Sequence, residues 1–191
     1  MRVKGWRMRH LIVFIGLAFL RGTLAFASED ETSSCSQLER QALLQLPRES
    51  IEIFDRTPGR GWRVLADIGC FQESEHLIAK YLEEHGEQSS LRIHIAQMQL
   101  RQGKNDAAAI NFRKSVRHDE RPDTPFKFND FVLALAAFSL RDRVQFDAHH
   151  AVLRSGAENF GNRQNLRLLD AIAASFDKPY LTILNSLALA R

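Results

Sequence analysis

Apolar residues recur with a period near 3.6 along most of the chain, which predicts a succession of helices. Ser36-Gln37-Leu38-Glu39 has the form of a capping box and opens a first helix that runs to about Leu46 and stops at Pro47. Residues 47–60 hold turn formers, with Ile51, Ile53 and Phe54 docking this connector on the core; Ile51–Phe54 is the one candidate strand. Trp62, Leu65 and Ile68 follow at helical spacing and stop at Gly69. Leu77, Ile78, Tyr81 and Leu82 form a single stripe closed by Gly86, as a helix with a C-terminal glycine cap requires. The next segment, capped by Ser89 or Ser90, is apolar on several sides (Leu91, Ile93, Ile95, Ala96, Met98, Leu100), which predicts a helix sandwiched between neighbours. After Gly103, a return helix carries Ala108, Phe112, Ser115 and Val116. Pro122 and Pro125 mark a longer connector, and Asn129 or Asp130 is placed to cap an apolar helix over 131–140. Asp142-Arg143 turns the chain into a helix with Phe146, His149, His150, Val152 and Leu153. Gly156 and Gly161 bracket a loop, and closing helices over roughly 163–175 and 178–190 complete an all-α chain.

The N-terminus changes how composition is read. Arg2, Lys4, Arg7 and Arg9 precede an apolar run over 11–20, and Ala25-Phe26-Ala27 places small residues before Ser28. This is the pattern of a cleaved signal peptide over residues 1–27, and the apolar run is shorter than the roughly 20 residues a membrane span needs. Residues 1–27 hold five of the 26 Lys and Arg and none of the 23 Asp and Glu, so the remainder has a formal charge of −2. The basic pI of about 9.1 belongs largely to the leader. Without a net basic domain, nucleic acid is not an expected partner. Residues 28–35 read as a short polar, disordered leader, and 36–191 as one helical domain. Cys35 and Cys70, the only cysteines, read as one disulfide in an oxidising compartment, periplasmic or secreted.

Residues 100–119 resemble the turn and second helix of a tetratricopeptide repeat (TPR), with Gly103, Ala108, Phe112 and small Ser115 at its packing positions and Ile95-Ala96 upstream. Gly69, Ser74, Ile78 and Leu82 repeat this register 34 residues earlier, and a looser third copy uses Ala148 and Val152. The sequence departs from the family pattern at Trp62, Arg92, Gln99 and Glu120. The resemblance, over about 58–155, implies a short TPR-like α-solenoid of antiparallel helix pairs with capping helices. It further implies a concave face formed by Gly59, Arg63 and Asp67, then Ile93, Gln97 and Arg101, then Leu133, Ala137 and Arg141. Arg63, Arg101 and Arg141 on that face would suit an acidic segment or a terminal carboxylate, although Asp67 could pair with Arg63 instead.

Catalytic motifs are weak by comparison. Glu73-Ser-Glu-His76 is a single E-x-x-H where a di-iron bundle needs two, and adjacent His149 and His150 diverge on a helix. No metal or other cofactor is expected. Glu83, Glu84, Asp119 and Glu120 are acidic candidates for glycosidase-type chemistry. The sequence therefore leads to a periplasmic or secreted helical-repeat interaction module, a scaffold or adaptor binding a protein or peptide, with a helical cell-envelope hydrolase as the alternative.

Overall fold

A computed structural model describes residues 29–189, where the helical stripes become nine α-helices: α1 (Glu29–Gln45), α2 (Arg63–Asp67), α3 (Phe71–His85), α4 (Ser89–Arg101), α5 (Asn105–Lys114), α6 (Phe128–Ser139), α7 (Arg143–Ser155), α8 (Phe160–Ala174) and α9 (Tyr180–Leu189). Successive helices pack on one another, so the fold is an all-α array of adjacent helix pairs. No strand occurs among the described residues. The expected signal peptide lies outside them, and the expected helix over 178–190 is described to Leu189.

Helix α1 begins at Glu29, so Ser36 lies inside it rather than capping it, and the stretch expected as a disordered leader is helical from Glu29. The reason is anchoring. Cys35 is bonded to Cys70, and Leu38, Ala42 and Leu43 pack against the N-terminal core. Once that turn is fixed, each further residue adds a hydrogen bond without a new nucleation cost. Ile51–Phe54 is not a strand: Glu52–Arg56 forms a π-helical turn, whose wide path carries the adjacent Phe54 and Asp55 both inward. At Gly61 (φ +54°) an added Cβ would meet the Phe54 carbonyl oxygen at 2.1 Å, so only glycine lets the loop close against this turn.

Two other expected boundaries move for local reasons. Helix α6 starts at Phe128, and its first turn is satisfied by Glu120, whose carboxylate accepts the Asn129 N–H at 2.9 Å. The Asn129 side chain instead ties back to both backbone groups of Arg117. Helix α8 starts at Phe160 with Asn159 as N-cap, which places Gly161 in its first turn, against Phe126, rather than in a loop.

One turn recurs three times. The N–H groups of Cys70, Lys104 and Asp142 donate to the carbonyls of Leu65, Gln99 and Ala137, each at 2.9 Å. Gly69, Gly103 and Arg141 bond back to Ala66, Leu100 and Phe138, and all three have positive φ. Ser74, Ala108 and Phe146 then open the return helices with equal 3.0 Å bonds to Cys70, Lys104 and Asp142. The offsets are thus 34 and 38 residues. The third copy is two residues out of the register read from sequence: Phe146 and His150, both buried, stand where Ala148 and Val152 were expected, and those two are exposed.

The core has two parts that share α4. Leu91, Ile95 and Met98 face a cluster with α2, α3, Phe54 and Leu46. Ile93, Ala96 and Leu100 face another that runs through α5, α6, α7 and α8 to Tyr180 and Ile183 of α9. The several-sided apolar pattern of α4 is explained by this double contact, and α9 returns to pack on α4.

Candidate functional site

Correcting the register of the third copy reassigns the positions expected to form a concave face. Arg63 and Gln97 correspond to Leu135, Asp67 and Arg101 to Ser139, and Gly59 and Ile93 to Phe131. Phe131, Leu135 and Ser139 are all buried. Leu133 is half-buried and Ala137 buried, so neither opens a groove. Arg141 is not the counterpart of Arg101; it occupies the left-handed, helix-ending position that glycine fills at 69 and 103. An L-residue there is strained, and the arginine is held by side-chain contacts: its guanidinium donates to the carbonyls of Phe176 and Lys178 and lies 4.8 Å from the Phe138 ring.

The remaining expected residues divide. Ile93 is buried in the C-terminal part of the core. Arg101 is half-buried, with its guanidinium 5.1 Å from the Phe71 ring and its Nε enclosed without a partner. Arg63 and Gln97 converge instead on a polar cluster that sequence reading missed, built around Asp55. Oδ1 of Asp55 accepts the Trp62 indole N–H at 3.1 Å and faces the Arg63 guanidinium at 3.5 Å and His94 Nε2 at 3.3 Å. The His94 Nδ1 lies 3.1 Å from Gln97 Oε1, its ring rests on Trp62, and Arg63 covers the other part of the indole. Burial alone would raise the pKa of Asp55; the hydrogen bond and charge of His94, the Trp62 N–H and the Arg63 charge outweigh it and lower the pKa from 3.8 to about 2. Asp55 is therefore an anion that joins the π-helical turn, α2 and α4. The arginine nearest to it is already neutralised, through Asp55 rather than Asp67.

A second network explains two departures from the repeat pattern. Arg92 pairs with Glu87 and donates to Asn111, which donates to Gln99. Gln99 in turn donates to Glu75, whose carboxylate also takes Gln102 and Lys104. A polar chain thus runs across α3, α4 and α5, using the positions where the family pattern has an aromatic and a tyrosine.

The titratable residues named from sequence lie at the joints between helices. His76 pairs with Glu39 across α1 and α3, His149 with Asp130 across α6 and α7, and His150, buried, with Asp170 across α7 and α8. Cys35, Cys70 and Glu73 bring donor atoms within 4.8 Å of one another, but the two sulfurs are bonded to each other and leave no thiolate for a metal. Of the acidic candidates, Glu83 pairs with Lys80 and Glu120 caps α6. They lie on separate elements, at the end of α3 and in the connector after α5.

The two tyrosines give a direct check on this packing. Burial pushes Tyr180 up to about 12, with Arg101 acting weakly in the opposite sense. Burial, then Glu49 and Asp55, raise Tyr81, which is stacked 4.0 Å from Phe54. Both folded values exceed the ordinary one of about 10, so the contribution to stability is present below pH 10 and is lost as pH rises toward 12. In a near-ultraviolet titration, tyrosinate should appear above the pH at which an exposed tyrosine ionises, together with loss of helix. A titration midpoint near 10 in the folded chain would contradict this packing.

Compared with protein-family models, curated proteins and solved structures, the chain matches none.

Proposed function

We propose that this protein is an exported, TPR-like helical-repeat module that binds a protein or peptide partner in the cell envelope, acting as scaffold or adaptor. The observation that carries the reading is the thrice-repeated turn at Leu65–Ser74, Gln99–Ala108 and Ala137–Phe146. A stack of such units presents a continuous surface assembled from several helices, which is how repeat architectures recognise extended partners. The compartment is read from the N-terminal pattern and is supported by the Cys35–Cys70 disulfide. His76, His149 and His150 and their carboxylate partners hold helix to helix, which suits a rigid binding surface better than a reaction centre.

The experiment is affinity capture of the full chain, as the cell processes it, from its own envelope, followed by mass spectrometry. The expected result is one or a few envelope proteins recovered with the folded, disulfide-bonded chain and lost from the reduced, unfolded one. Retention of the chain in the cytoplasm with residues 1–27 intact, or equal recovery by folded and unfolded chain, would remove the reading.

A further inference from the structure

The partner-binding reading leaves open which surface is used, and two of the arginines expected on a concave face, Arg63 and Arg141, are engaged internally. A different surface has the right chemistry. Between α1, the 48–61 connector and α2 lies an open groove of about 540 Å³. Its floor is Leu65, and its walls include Leu38, Ala42, Ile53 and Val64. Val64 is 43% exposed and Ile53 38%. Large aliphatic side chains gathered in this way are costly to leave in water.

The charges at the groove are one-sided. Arg48 and Arg60 line it against a single acid, Glu49. Both arginines are exposed, and neither makes an ion pair among the described residues. Arg60 stands between Gly59 and Gly61, both of positive φ, and the close seating of Gly61 on Phe54 fixes the loop that presents it. This is a preformed apolar slot flanked by two available guanidinium groups.

We infer that the groove between α1 and α2 binds a short amphipathic segment of another protein, apolar on the face that enters and acidic at its flanks. Aliphatic side chains of the segment would cover Ile53, Val64 and Leu65, and its carboxylates would take forked hydrogen bonds from Arg48 and Arg60. The chain's own residues 1–27 are a poor occupant, since they carry five basic residues and no acidic one.

The inference rests on the partner-binding reading and can fail without it. The probe is a fluorescent peptide of about 14 residues with leucines at helical spacing and glutamates at its flanks, compared with versions carrying lysine flanks or serine for leucine. Anisotropy titration should show saturable binding of the leucine–glutamate peptide. Binding should weaken at least ~10-fold on Arg48→Glu/Arg60→Glu and on Val64→Asp, while the charge-reversed protein gains affinity for the lysine version. All three substituted residues are exposed, and circular dichroism verifies their folding. The inference is overturned if the three peptides bind alike, if none binds, if the variants bind as the native chain does, or if ultracentrifugation shows a second copy of the chain covering the groove. Envelope partners captured equally by native and Arg48→Glu/Arg60→Glu chains would remove the groove and leave the wider reading standing.

Discussion

Replacing Asp55 with alanine should destabilise the protein by about 3 kcal/mol at neutral pH, the cost of leaving the buried Trp62 N–H and the partly buried Arg63 guanidinium without their acceptor. The substitution strands the Trp62 N–H, the Arg63 guanidinium and His94 together. For a chain of this size the melting temperature should drop by about 10 °C. Asp55→Asn, which keeps the shape and removes the charge, should cost about 2 kcal/mol, matching the fall of the carboxyl pKa from 3.8 to about 2. Because the folded pKa lies below the unfolded one, that contribution is complete above about pH 5 and disappears as pH falls toward 2. Urea midpoints of native and Asp55→Asn chains should therefore converge on acidification. A constant gap between them down to pH 2 would mean that Asp55 is not held as a paired anion.

Removing the disulfide should have a similar effect through another part of the chain. Cys35 and Cys70 close a loop with a sequence separation of 35, with Cα atoms 5.6 Å apart. A loop of this length corresponds to about 3–4 kcal/mol on the chain-entropy model. Cys35→Ala/Cys70→Ala should lose roughly that amount, and hydrogen exchange should show the loss concentrated in α1. The reason is that α1 is otherwise held by the half-buried Leu38, Ala42 and Leu43 and by the Glu39–His76 pair, whereas α6 and α7 lie in the other part of the core. Unchanged protection of α1 in the double variant would show that its packing and the Glu39–His76 pair seat it without the disulfide.

The helices were legible in sequence where one face is apolar and a glycine ends the run, as with Leu77, Ile78, Tyr81 and Leu82 before Gly86. The disulfide was legible from the count of cysteines. The register of the third copy was not, because Arg141 fills a left-handed position without the glycine that marks it at 69 and 103, and the Pro-rich connector hides the change of spacing. Ile51–Phe54 resembled a strand because apolar and polar residues alternate there, and a π-helical turn has no comparable periodicity. Asp55 was overlooked because one acid beside a Thr-Pro-Gly turn looks solvated; its partners at 62, 63 and 94 are brought to it only by tertiary packing. Nor does anything local in α9 say that it returns to α4.

That return changes how the molecule should come apart. In an open repeat array each unit touches only its neighbours, so ends fray and partly melted forms are populated. Here α4 is the shared wall of both halves of the core, and Tyr180 and Ile183 belong to the same cluster as its Ile93, Ala96 and Leu100. Peeling off the C-terminal helices therefore exposes the middle of the chain rather than its edge. Melting should be a single cooperative step, and folding should be slower than for a linear stack because α4 must wait for a segment made much later.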